Sequence, residues 1–141
     1  MFVVNVEGAI ERDGRYLMIV RGLEESHAPG ALSFPGGKVE PTDEPENALE
    51  STLLREISEE VGVEIRKKMT YVESRLFDMD DGSKVLNVLF LCDIEAGTPF
   101  VGSEEVQSVR WMTPEEILRD RPPWFKDSTM QGGEEARRRD A

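Results

Sequence analysis

Apolar and polar positions alternate with a period of two over much of this chain and switch to a helical period in one long segment. From Phe2 to Glu11 the alternation is partial, and Arg12-Asp13-Gly14-Arg15 reads as a turn into Tyr16-Leu17-Met18-Ile19-Val20, the second arm of a hairpin. Gly22 to Gly30 is a polar loop, and Ala31 to Phe34 is a short strand leading into Gly36-Gly37. The helical period starts at Pro45 or Glu46 and runs to about Val61, where Gly62 supplies a stop. Strands are expected over Glu64 to Phe77 and Lys84 to Ile94, joined by a turn at Asp80-Asp81-Gly82, and again over Val106 to Met112. Thr113 followed by Pro114 predicts an N-cap and first helical residue, opening a short helix through Arg119. Residues 127 to 141 are polar and Gly-bearing, so a poorly ordered tail is expected there, after a single domain over residues 1–126.

The long helix carries the chemistry. Glu56, Glu59 and Glu60 lie three and four residues apart. At roughly 100° per residue they share an arc of about 100° on one face. Leu53, Leu54, Ile57 and Val61 occupy a neighbouring arc, so a buried side adjoins the acidic one. An acidic helix face is most often simply solvated. Here, however, Glu56 and Glu60 repel across one turn unless something neutralises them, and oxygen ligands grouped in this way suit Mg²⁺ or Mn²⁺. Gly36-Gly37, just ahead of the helix, permit a close backbone approach.

Composition narrows the classes. A chain of 141 residues is one domain with room for a core. It has no run of 18 apolar residues to span a membrane, and its first residues read as a strand rather than a signal peptide. The single Cys92, in an apolar run, is read as a small buried hydrophobe of a reducing compartment, so a cytoplasmic location is expected. Asp and Glu number 29 against 17 Lys and Arg, and the formal charge of −12 argues against a general nucleic-acid surface. It leaves room for a nucleotide bridged by cations.

The segment from Gly36 to Val63 resembles the Nudix box, G-x5-E-x7-R-E-U-x-E-E-x-G-U with U a bulky aliphatic residue. Phe34-Pro35-Gly36-Gly37-Lys38-Val39-Glu40 matches its entry, and Arg55-Glu56-Ile57-Ser58-Glu59-Glu60-Val61-Gly62-Val63 matches its exit. Two departures stand out. Asp43 takes the first acidic position, with Glu44 beside it, and Arg55 arrives four residues later than the pattern sets. The four extra residues are either one inserted helical turn or a longer loop over Pro41 to Pro45.

The resemblance implies a Nudix-type α/β/α sandwich, with a mixed β-sheet between helices, and a pyrophosphohydrolase activity. It implies metal ligation by Glu56, Glu59, Glu60 and the backbone carbonyl of Gly36, with Mg²⁺ the metal and Mn²⁺ a substitute. The general base is Glu59 or an acid outside the box, and Glu105 is favoured over Glu104 in the loop before the last strand. Arg55 is a phosphate clamp or, preferably, an i, i+4 partner holding Glu59 in place. Arg21, Lys38 and Gly37 are the candidate substrate contacts, with Lys38 and Glu40 also bracing the loop. His27, the only histidine, is read as a surface residue. Trp111 is assigned to the core, while Phe77, Phe100, Trp124 and Phe125 are candidates to stack on a base.

The substrate implied is a small nucleoside diphosphate derivative. Because the first strand starts at residue 2, a compact form acting on nucleoside triphosphates, damaged ones included, is preferred. ADP-ribose or nucleotide-sugar cleavage is the alternative, and a non-catalytic nucleotide-binding regulatory module is the alternative of another class. An isomerase acting on a diphosphate ester is disfavoured, because no cysteine lies in a catalytic loop. A homodimer is expected by analogy only.

Overall fold

A computed structural model describes residues 2–25, 28–123 and 125–140. The first strand organises the molecule: β1 (Phe2–Arg12) is long enough to serve three neighbours. Its residues 2–10 run parallel to β7 (Lys84–Cys92), with Phe2 opposite Lys84 and Ile10 opposite Cys92. On its other edge Asn5, Val6 and Glu7 pair antiparallel with Lys38, Gly37 and Gly36 of β4 (Gly36–Lys38). Its end turns into β2 (Arg15–Arg21) through Asp13 and Gly14, both at positive φ, as a two-residue hairpin turn of this kind requires.

The rest of the sheet builds outward. β2 pairs antiparallel with β3 (Leu32–Ser33) and with β9 (Val106–Met112). β6 (Thr70–Asp78) closes the far edge against β7, across the expected turn. One parallel pair among antiparallel ones makes the sheet mixed.

Helices cover both faces. On one, Leu53, Ile57 and Val61 of α1 (Ala48–Val61) pack on Val6, Ile10, Leu17, Ile19 and Val88. On the other, Ile117 of α2 (Pro114–Asp120) and Met130 of α3 (Asp127–Asp140) pack on Ala9, Tyr16, Met18 and Leu89. Thr113 caps α2 in a reciprocal box with Glu116. This is the expected sandwich. No helix among the described residues is long and apolar enough to cross a membrane.

Three expectations need correction. The helix opens at Ala48, not at Pro45 or Glu46, so the stretch 44–47 is non-helical and Asn47 enters α1 in a left-handed conformation. The expected strand Glu64 to Phe77 is two elements. β5 (Glu64–Ile65) pairs with β8 (Ile94–Ala96) in a separate small sheet, and Arg66-Lys67-Lys68 carry the chain across to β6. Finally, the expected poorly ordered tail at 127–141 is the helix α3 over residues 127–140.

Hydropathy misses α3 because its contact face is built mainly from small residues. Thr129, Gly132, Gly133 and Ala136 let the helix lie close to the sheet, and a Cβ at Gly132 would stand 3.2 Å from a Val72 methyl. Polar links fasten it: Thr129 Oγ1 donates to Glu73, Arg75 donates to Ser128, and Arg137 pairs with Glu11 at 2.7 Å. The helix is therefore part of the domain. Met130→Ala should lower unfolding free energy by about 2–5 kcal/mol, the usual cost of emptying a buried methionine site. Urea denaturation measures this, and a loss near zero would mean that α3 does not pack stably.

Candidate active site

Helix α1 turns Glu60 and Glu56 toward β4, and β4 meets them without side chains. A Cβ on Gly37 would stand 2.3 Å from the Glu56 carboxyl carbon, so any other residue there would displace that carboxylate. The Gly36 N–H donates to Glu60 Oε1 at 2.8 Å, which leaves Glu60 only 4% exposed. Glu59, by contrast, keeps 57% of its side chain in solvent. Gly62, at φ 70°, ends the helix, and the loop before β9 then covers its last carbonyls. Phe100 N–H donates to Val61 O and Gly102 N–H to Glu60 O.

That loop leads to Glu104 and Glu105. Glu105 O accepts from the Gly22 N–H at 2.8 Å, tying the loop to the end of β2. Burial pushes the Glu60 carboxyl up to about 8, opposed by the Gly36 N–H and assisted by the negative charges of Glu56 and Glu105. Burial also raises Glu56, against the pull of Arg55, with Glu59 and Glu105 adding to the rise. Glu105 is thus close enough to act on both carboxylates. Arg21, whose Nη2 lies 3.5 Å from Glu25, bears on Glu60 as a counter-charge.

Arg55 makes the expected i, i+4 pair with Glu59, at 3.6 Å, but its closer contacts lie elsewhere. Its guanidinium grips Asp43 in a two-pronged pair, Nε to Oδ1 and Nη2 to Oδ2, both at 3.1 Å. Nη1 donates to Glu56 at 2.9 Å, and Glu59 is farther away at 3.6 Å. Asp43 also accepts from the Glu40 N–H, which first, with Arg55 second, holds its carboxyl below the usual range. The late-arriving Arg55 therefore still meets the first acidic residue of the motif. Seven helical residues, 48–54, precede it, so the four extra residues are the non-helical link 44–47 and not an inserted turn.

Other candidates are scattered. Lys38 is exposed and pairs in register with Asn5, on the opposite side of the sheet from Glu56. Phe100 lies over Gly62 and is 59% exposed, Phe77 is half-buried, and Phe125 packs against Phe34 with ring centroids 5.5 Å apart. Trp111 sits at the core margin beneath the Arg12 guanidinium. His27 and Trp124 lie outside the described residues. Cys92 is buried in the core, with its thiol pushed up to about 12.

One polar group escaped the sequence reading. Asn5 Nδ2 donates to Asn87 Oδ1 at 2.7 Å, and Asn87 Nδ2 donates to Glu7 Oε1 at 2.9 Å. Burial raises Glu7 to about 7. The signal in the sequence was the broken alternation of β1, where polar residues stand at positions that face a covered side of the sheet.

The donors on and around α1 are all oxygens, as a hard divalent cation requires, and the glycine floor leaves them room. As they stand they are engaged elsewhere, Glu60 with Gly36 and Glu56 with Arg55. Among the described residues no three acidic, histidine or cysteine side chains are gathered to grip an ion.

Comparison with known proteins settles the family. A model described as NUDIX domain matches residues 1–131. The chain belongs to the Nudix family. It is 34% identical over 114 residues to a CTP pyrophosphohydrolase of Escherichia coli (strain K12), covering 81% of this chain and 78% of that one. It is 30% identical over 120 residues to the nucleoside triphosphatase NudI of Escherichia coli (strain K12 / DH10B), covering 77% and 80%. Its fold matches the crystal structure of a MutT NUDIX hydrolase from Burkholderia pseudomallei with a TM-score of 0.73 and 26% identity, over 95% of this chain and 97% of that one. The protein is a Nudix hydrolase, and Nudix hydrolases in general use divalent metals.

The raised carboxyls set a pH dependence. Glu60 and Glu7 hold protons when folded that the unfolded chain gives up near pH 4.5. Their contribution is thus fully present below about pH 4.5 and is lost as pH rises through about 7 and about 8. In chelator, the melting temperature should fall from roughly pH 5 to roughly pH 8.5, and Glu60→Gln should flatten the fall. A melting temperature that climbs over this interval would contradict the assignment.

Proposed function

We propose that this Nudix hydrolase cleaves the diphosphate linkage of a nucleoside triphosphate, damaged ones included, releasing the monophosphate and pyrophosphate. The observation that carries the reading is the pair of under-neutralised carboxylates, Glu56 and Glu60, set against the bare backbone of Gly36 and Gly37. The activities named for the two relatives, a CTP pyrophosphohydrolase and a nucleoside triphosphatase, support it.

Glu56, Glu59, Glu60 and the Gly36 carbonyl would hold Mg²⁺, or Mn²⁺ in its place. When bound, the cation neutralises the diphosphate and lowers the pKa of water. Each carboxylate would keep its second oxygen for the ion, since Glu60 accepts from Gly36 at Oε1 and Glu56 accepts from Arg55 at Oε1. Arg55 remains on Asp43, keeping the loop and the helix in register, so it positions ligands rather than touching phosphate. Arg21, whose charge bears on Glu60, is assigned to a phosphate, as is the Gly37 backbone, whose missing side chain makes room for Glu56. Lys38, on the other side of β4, is assigned to the nucleoside end.

In the reaction a water oxygen bonds to phosphorus as the bridging P–O bond breaks, and one proton leaves the water. Glu59, exposed, and Glu105, whose charge bears on Glu56 and Glu60, are the candidate acceptors. Glu105→Gln should lower kcat by about 10²–10⁴-fold if it is the base, with KM little changed. Glu60→Gln should lower kcat/KM by at least about 100-fold without loss of fold.

Phosphorus NMR of products, with and without Mg²⁺, tests the reading on nucleoside triphosphates, ADP-ribose and a nucleotide sugar. Magnesium-dependent monophosphate and pyrophosphate from a triphosphate is the expected result. Turnover of ADP-ribose alone would replace it with the alternative substrate class. Binding with no turnover of any of them would make the protein a regulatory module.

A further inference from the structure

The chain of Asn5, Asn87 and Glu7 lies on the face of the sheet opposite α1, beside the site but outside its machinery. Strand register sets its neighbours. Asn5 stands between Lys38 and Asn87, with Arg75 next across the sheet; Glu7 stands between Gly36 and Leu89, with Glu73 beyond. Glu73 and Arg75 pair with each other at 2.8 Å and are tied to Thr129 and Ser128 of α3. The two asparagines bond to each other. Glu7 accepts one side-chain hydrogen bond among the described residues, from Asn87 to Oε1, which leaves acceptor capacity on a half-buried carboxyl.

Gly36 joins this group to the carboxylates of α1. Its N–H reaches Glu60 and its backbone pairs with Glu7. The charge of Arg21 acts on both acids. Glu7 and Glu60 thus approach the same glycine, one from β1 and the other from α1.

We propose, resting on the nucleotide reading above, that Glu7 determines base specificity by accepting a hydrogen bond from an exocyclic amino group. Cytosine and adenine present that donor, whereas uracil and hypoxanthine present an oxygen at the same place, which faces the acceptor unfavourably. Glu7 keeps an acceptor oxygen whether or not it is protonated. The polarity of the chain is fixed: Asn5 donates to the Asn87 oxygen, so Asn87 must donate to residue 7.

That polarity makes the test sharp. In Glu7→Gln the new amide must turn its oxygen to Asn87 and its NH₂ to the base, which favours oxo bases. Specificity constants for CTP against UTP, and ATP against ITP, should favour the amino base about tenfold or more in the wild type. The preference should reverse in Glu7→Gln. Asn5→Ala, which frees Asn87 to rotate, should shrink it and keeps the test decisive if the first variant does not fold. Metal-free calorimetry with CMP and UMP should show the same order of binding. A wild type indifferent to the base, or ratios unmoved by both variants, overturns the proposal. Should no triphosphate be hydrolysed while CMP still outbinds UMP in a Glu7- or Asn5-dependent way, the hydrolytic reading fails and this inference stands. Hydrolysis with ratios that ignore both variants leaves the hydrolytic reading standing and overturns the role of Glu7.

Discussion

Everything in the site follows from how closely helix α1 approaches β4. A Cβ at position 37 would stand 2.3 Å from the Glu56 carboxyl carbon, and the Gly36 N–H is already bonded to Glu60. This contact takes Glu60 out of water and withholds a full counter-charge from it. The cation we propose would offset that burial, which on a solvated acidic face would not arise. The apolar face of the same helix, anchored by Leu53, Ile57 and Val61 on the sheet, fixes the distance of approach.

The second fixed point is the Arg55–Asp43 pair. It joins the start of the motif to the middle of the helix across a link of four non-helical residues, so the length of that link matters little to the site. Loop length is thermodynamically forgiving when both ends are anchored. Asp in place of Glu costs the pair nothing in geometry, since both guanidinium contacts are made at 3.1 Å. Arg55 thus restrains the loop and also holds Glu56.

The carboxylate face was legible because its spacing is a local property of one helix: Glu56, Glu59 and Glu60 needed only a period of 3.6 to be placed together. The hairpin at Asp13-Gly14 and the cap at Thr113 were legible for the same reason. What stayed hidden depends on contacts between distant segments. Asn5 and Glu7 are some 80 residues from Asn87 in sequence and meet it only through the parallel register of β1 and β7. α3 stayed hidden because glycine, threonine and alanine form a contact face with almost no hydropathy signal. The choice between an inserted turn and a longer loop likewise rested on a pairing, Asp43 with Arg55, that no periodicity encodes.

The central claim is that the glycine floor and the carboxylates of α1 together make a divalent-metal site. Electron paramagnetic resonance titration of Mn²⁺ into the wild type and into Gly37→Ala tests it most directly, because the three atoms nearest the added methyl all belong to Glu56. The account predicts saturable Mn²⁺ binding by the wild type and markedly weaker binding by the folded variant. Equal binding by the two proteins, or none by the wild type, would contradict it.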